Sequence, residues 1–222
     1  MIKPGSKILL LEKEIQKLKK LVYLDALTNV YNRRGFLELG RNYFEQSEKK
    51  GSAERRKAGS YFERSEKKGS AERSEAGSYF QFFREDTGKR RKNGITSLAL
   101  IFLDIDDFKK INDKYGHRRG DRVLKQLAKF LKLTLRKTDL LGRWGGEEFV
   151  ILLVNASKAN AQKIAQKLCQ LTARTKIAGL HLTISLGLII PKKEKTLAII
   201  INKADKLMYQ AKKQGKDKVI TL

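Results

Sequence analysis

The chain is poor in the residues that mark an oxidising or membrane setting. Its one cysteine, Cys169, excludes an internal disulfide and fits a reducing compartment. No apolar run approaches the roughly 18 residues of a membrane-spanning helix. The N-terminus shows neither the apolar segment nor the cleavage site of a secretion signal, so a cytoplasmic location is expected. His117 and His181 have no Cys or His neighbours at ligand spacing, which argues against a zinc site. Acidic side chains are outnumbered, 24 Asp and Glu against 49 Lys and Arg, for a net charge of +25. Such a charge favours anionic partners, but helix-turn-helix, zinc-finger and aromatic RNA-binding patterns are missing, so specific nucleic-acid binding is not expected. What remains is 222 residues of 41% hydrophobic content, enough for one substantial core.

Two acidic segments stand out. Leu98 to Leu103 is a short continuous apolar run suited to a buried strand, and Asp104 and Asp106 leave its end with period-2 spacing, so their carboxylates should point to the same side. Further on, Arg143-Trp144-Gly145-Gly146-Glu147-Glu148-Phe149-Val150 places a Gly-Gly pair between apolar stretches. The pair is expected to supply the positive φ angles of a tight hairpin, with Glu147 and Glu148 at the rim of a sheet. Carboxylates at two strand ends suit a hard cation such as Mg²⁺, offering oxygen ligands while leaving positions for water and phosphate.

Gly145-Gly146-Glu147-Glu148-Phe149 resembles the signature of the GGDEF family, the diguanylate cyclases, in its GGEEF form. Other segments resemble the family in the same order. They are Asp25-Ala26-Leu27-Thr28 with Asn32-Arg33-Arg34, Asp104 through Asp113, Gly116-His117-Arg118-Arg119-Gly120-Asp121, Thr183-Ile184-Ser185-Leu186-Gly187, and Ala204-Asp205 through Lys212. The resemblance implies an α+β, palm-like nucleotidyl cyclase fold, with a central five-stranded, mainly antiparallel sheet flanked by helices. It also implies condensation of two GTP into cyclic di-GMP and two pyrophosphates across a homodimer.

By the same resemblance, Asp104 and Glu147 would ligate Mg²⁺ or Mn²⁺ through side chains and Ile105 through its backbone carbonyl. Glu148 would assist at the reacting centre, and Asp106 could support a second metal. The N–H groups of Asp107 and Phe108, at a helix start, would cradle phosphates. Asn112 and Asp121 correspond to the guanine readers, and amide and carboxylate chemistry fits the guanine edge. Lys212 and Lys216 correspond to the residues that grip the outer phosphates. The second is more often arginine in the family, so Lys216 keeps the charge and loses bidentate geometry. Arg136 and Asp139 stand at the family's product-inhibition site, where they would bind cyclic di-GMP; otherwise the pair is a surface ion pair of little worth. His117 is expected to serve a turn, and Trp144 and Phe149 to pack.

Outside this core, Ile8, Leu11, Ile15, Leu18 and Val22 repeat with coiled-coil spacing. Residues 1–22 are therefore read as a signalling helix through which two chains pair, or alternatively as an amphipathic helix on its own domain. The catalytic domain is read as 23–222, interrupted by a repetitive insertion at 47–94. There SEKKGSAERRKAGSYF from Ser47 is followed by SEKKGSAERSEAGSYF from Ser65, and little is apolar, so disorder or weak helix is expected. At about 3.3 Å per residue, Ser97 lies roughly 23 Å along the strand from Asp104, so the insertion should leave the end opposite the chemistry.

The remaining pattern predicts helices at about 33–46, from Asp107, at 120–136, 158–175 and 197–214, and a strand at 181–190. A second functional reading stays open: an inactive module of this family that receives cyclic di-GMP or binds nucleic acid or a protein.

Overall fold

The computed structural model describes residues 14, 21–59, 95, 97–192, 194 and 196–222. The expected pairing helix at 1–22, apart from residues 14, 21 and 22, and most of the 47–94 insertion lie outside the described residues. In chain order the elements are α1 (Arg33–Gly59), β1 (Leu98–Ile105), α2 (Phe108–Tyr115), α3 (His117–Thr134), β2 (Leu140–Arg143), β3 (Glu148–Val154), α4 (Lys158–Arg174), β4 (Ile184–Ile189), α5 (Leu197–Lys213) and β5 (Val219–Thr221).

β1 is buried along its whole length because it is the middle of the five-stranded sheet, ordered β2-β3-β1-β4-β5. It runs antiparallel to both β3 and β4; β2 and β3 form the hairpin, and β5 lies parallel to β4. The period-2 alternation of its side chains splits the core into two layers. Ala99, Ile101, Leu103 and Ile105 pack with Val123, Leu127 and Leu131 of α3 and Ala161, Ala165 and Leu168 of α4. Leu98, Leu100 and Phe102 pack with Phe36 and Leu39 of α1 and Ile200, Ile201, Ala204, Leu207 and Met208 of α5. Each fully buried side chain of this size contributes about 1.5–3 kcal/mol by leaving water. Gly187 admits α5, since a Cβ there would collide with the backbone carbonyl of Ala204.

Helix ends follow local chemistry. Ser157 Oγ accepts from Asn160 N at the start of α4, and Thr196 Oγ1 accepts from Ile199 N at the start of α5. α3 begins at His117, earlier than periodicity predicts, because Gly116 at φ 77° both ends α2 and caps α3. α1 continues to Gly59, past its expected end near Gln46, through a Glu-, Lys-, Arg- and Ala-rich stretch of good helix formers. No described helix is long and apolar enough to cross a membrane.

Candidate active site

β1 delivers Asp104 to the edge of the core, opposite Glu148 on β3 and Ser185 on β4. The carboxyl is 4% exposed. Lys212 Nζ of α5 stands 2.7 Å from Oδ1 and forms an ion pair with it. Among the described residues no other donor reaches that oxygen, so the ammonium alone balances it. Burial pushes the carboxyl up to about 6; Lys212 opposes the shift, and the charges of Glu147 and Glu148 add to it. Glu148 is also raised, first by burial, then by Asp205 and Glu147, with Lys212 and Arg33 acting the other way. Asp205 had no role of its own in the sequence reading. Acids crowded in this way gain from any cation that arrives.

The hairpin bringing Glu147 and Glu148 to that point is built differently from the expectation. Positive φ among described glycines occurs at Gly116, Gly179 and Gly215, not at Gly145 or Gly146. The turn is closed by Trp144 N donating to Glu148 O at 2.8 Å, and by the Arg143 guanidinium donating to Gly146 O from Nε at 3.1 Å and Nη2 at 2.7 Å. A side chain thus does the work assigned to glycine φ angles. A Cβ on Gly145 would meet Glu148 Oε2, the movable end of a side chain, so a larger residue there would displace the Glu148 carboxylate.

Arg143 is held in turn by Asp25, at 3.1 and 3.3 Å, and Asp25 also accepts from Thr28 N at 2.9 Å and Thr28 Oγ1 at 2.6 Å. Burial works to raise the Asp25 carboxyl, but the Thr28 and Arg143 hydrogen bonds outweigh it and hold it below the usual range. Sequence reasoning noticed Asp25 and Thr28 only as a motif and missed Arg143. The Asp25-x-x-Thr28 spacing is itself a capping pattern that signals a turn. Trp144 packs as expected, edge-on to Phe102 with Arg33 over its ring at 4.3 Å, and Phe149 is fully buried.

Past β1 the chain turns sharply, with Asp107 left-handed at φ 54°, and α2 starts at Phe108. Asp107 pairs with Lys216 at 2.8 Å and Lys110 at 3.0 Å, and these hydrogen bonds hold its carboxyl below the usual range. Asp106 departs from the expected role beside a metal. Its Oδ1 accepts from Ser185 Oγ at 2.6 Å, and its Oδ2 from Thr183 Oγ1 at 2.7 Å and Asp217 N at 3.1 Å. A carboxylate so engaged has little left to offer a cation. The described residues contain no group of three or more His, Cys, Asp or Glu placed to hold a metal ion by themselves.

On the α2–α3 hairpin, Asn112 is half-buried with Oδ1 lying over Gly120, where a Cβ would collide with it, and exposed Asp121 follows directly. The two expected guanine readers therefore lie close together on this hairpin. Arg136 and Asp139 sit elsewhere. Asp139 Oδ2 accepts from Arg136 N at 3.0 Å and Oδ1 from Val154 N at 3.1 Å, and burial raises its carboxyl despite these bonds. Arg136 touches Asp139 through its backbone, leaving its side chain exposed.

A model of the family described as "Diguanylate cyclase, GGDEF domain" matches residues 79–218. The chain is 42% identical over 127 residues to the uncharacterized protein YhcK of Bacillus subtilis, a stretch covering 54% of this chain and 35% of that protein. It is 38% identical over 123 residues to diguanylate cyclase DgcM of Escherichia coli, covering 55% of this chain and 30% of that protein. The chain thus spans about a third of the length of these curated relatives. The coiled coil and GGDEF domain of DgcB from Caulobacter crescentus, solved with c-di-GMP, superposes with a TM-score of 0.70 at 18% identity. That superposition covers 98% of this chain and 95% of the other, a likeness of fold.

Proposed function

The chain belongs to the GGDEF family of diguanylate cyclase domains, and on that footing we propose that it condenses two GTP into cyclic di-GMP. Each 3′-hydroxyl attacks the α-phosphorus of the other nucleotide, one P–O bond forms as one to pyrophosphate breaks, and the step occurs twice. Two half-sites must face each other, so the working unit is a homodimer, paired through the 1–22 helix.

The observation that carries this reading is the buried Asp104 carboxylate, opposite Glu148 and balanced by the Lys212 ammonium alone. The donors fit Mg²⁺ or Mn²⁺: Asp104, Glu147 and the Ile105 carbonyl are hard oxygens, too few for a closed cage and suited to a cation shared with phosphates. When bound, the metal would supply Lewis acidity at the α-phosphoryl group. The chain's own residues do the rest. Asn112 and Asp121 read the guanine edge, the N–H groups of Asp107 and Phe108 hold phosphate oxygens, and Lys212 and Lys216 leave their aspartates for the triphosphate. Glu148, raised by its surroundings, is the side chain assigned here to assist at the 3′-hydroxyl. Arg136 and Asp139 form the feedback site for the product.

The test is incubation of purified chain with GTP and Mg²⁺ or Mn²⁺ at several protein concentrations, reading cyclic di-GMP and pyrophosphate. A rate per chain that rises with concentration, lost in Glu147→Ala, is expected. No product from well-folded, nucleotide-free protein would assign the chain to the binding-module reading.

A further inference from the structure

Asp106 is 5% exposed and joins three segments that lie far apart in sequence. It follows β1 directly, its oxygens take the hydroxyls of Thr183 and Ser185 at the start of β4, and Oδ2 also takes the backbone N–H of Asp217 between α5 and β5. That last segment is unusual. Gly215, Lys216 and Asp217 all have positive φ, at 105°, 61° and 46°. Successive left-handed non-glycine residues cost energy and persist only where surroundings over-determine them. The end of α5 holds part of the turn, through Lys216 N–H on Ala211 O at 3.0 Å and Gly215 N–H on Lys212 O at 3.4 Å, and Asp217 is held by the Asp106 carboxylate on its N–H and the Cys169 thiol on its Oδ1 at 3.3 Å. Burial, followed by the neighbouring Asp217, pushes the thiol up to about 12, so it stays a donor.

The product of this strained turn is the aim of one side chain. Lys216 Nζ reaches back across the site to Asp107 Oδ2 at 2.8 Å, beside the N–H groups at the start of α2. We propose that Asp106 is a positioning residue: it pins the 215–217 turn so that Lys216 is delivered to the nucleotide's outer phosphates, and it ligates no metal. The inference rests on the cyclase reading for the identity of the phosphates. It explains why two buried aspartates two positions apart are treated differently, Asp104 held by one ion pair to Lys212 and Asp106 by three hydrogen bonds to hydroxyls and backbone. It also gives a lysine where the family more often has arginine a fixed launching point, which a flexible ammonium needs more than a planar fork does.

The experiment is a double-mutant cycle on steady-state kinetics of the full chain with Asp106→Asn and Lys216→Met. Asp106→Asn should raise KM for GTP about tenfold with kcat within about threefold, leave the inhibition constant of unphosphorylated guanosine unchanged, and leave Mn²⁺ stoichiometry in the presence of a non-hydrolysable GTP analogue unchanged. In the Lys216→Met background the same substitution should have almost no further effect on KM. If Asp106→Asn does not fold, Thr183→Val and Ser185→Ala, which remove only donors, should show a smaller KM rise that again vanishes without Lys216. An undiminished KM effect in the Lys216→Met background, or a lost Mn²⁺ equivalent, overturns the proposal while leaving the cyclase reading intact. Wild-type chain that neither turns over nor binds the GTP analogue removes the cyclase reading, and the proposal with it.

Discussion

Where β1 begins, beside Val154, the half-buried carboxylate of Asp139 accepts two backbone N–H groups, one on each oxygen; where β1 ends, opposite Glu148, the more deeply buried Asp104 is met by the Lys212 ammonium at 2.7 Å. Both carboxyls are raised by burial, so the difference lies in what the fold provides. At the first end the chain satisfies itself. At the second it gathers Asp104, Glu147, Glu148 and Asp205 around a single close lysine, Lys212, and holds Asp107, Lys216 and Asp217 in left-handed backbone. Acids crowded around one close lysine, with three left-handed residues beside them, are the physical marks of a site prepared for a ligand.

Removing the Asp104 charge should produce the largest effect. Asp104→Asn is expected to lower turnover by about 100-fold or more. It should also alter stability with a definite sign. Because the folded carboxyl is raised from 3.8 to about 6, the folded chain binds a proton there more tightly than the unfolded chain. That contribution is complete below the unfolded value and is lost as pH climbs through about 6. The melting temperature of Asp104→Asn relative to wild type should therefore become more favourable as pH rises from about 4 to about 7, and a flat or falling difference would contradict the assigned burial cost.

Next comes the support of the hairpin. Asp25→Asn weakens the grip on Arg143 and hence on the Gly146 carbonyl, so kcat should drop about tenfold with a loss of about 1–2 kcal/mol in denaturant unfolding. Unchanged kcat would mean that the hairpin holds its place without Asp25.

At the self-satisfied end the effects should shrink. Arg136→Ala should relieve product inhibition, read as a progress curve that stays linear longer, while initial rates change by less than about twofold, because the Arg136 contact holding Asp139 is a backbone one. Deleting residues 60–94 with a short Gly-Ser linker should alter initial rates least, within about twofold, since β1 enters the sheet at the end away from Asp104. A dead deletion variant would erase the distinction between the two ends.

Much of this molecule is readable from its sequence because the relevant signals are local. The apolar run into Asp104 could only be a buried strand, and α4 and α5 have their expected bounds within a residue because Ser157 and Thr196 cap them. Site carboxylates were visible as charges at strand ends. The rest depends on contacts that periodicity does not encode. Arg143 and Asp25 are 118 residues apart, and Asp106 and Asp217 are 111 apart, so neither pairing leaves a spacing to count. Gly145 and Gly146 looked like turn glycines of positive φ, whereas the Arg143 side chain closes the turn through the Gly146 carbonyl. The fifth strand, Val219–Thr221, is too short to declare itself without β4 beside it.

The most direct test of the central claim is a Mn²⁺ titration followed by electron paramagnetic resonance, with and without a non-hydrolysable GTP analogue, in wild type and Asp104→Asn. The account predicts weak Mn²⁺ binding by wild type alone, where Lys212 occupies Asp104, binding tighter by about tenfold or more with the analogue present, and loss of that gain in Asp104→Asn. Equal Mn²⁺ affinity in the two proteins with the analogue bound would show that the Asp104 carboxylate at the end of β1 is not the group that receives the metal.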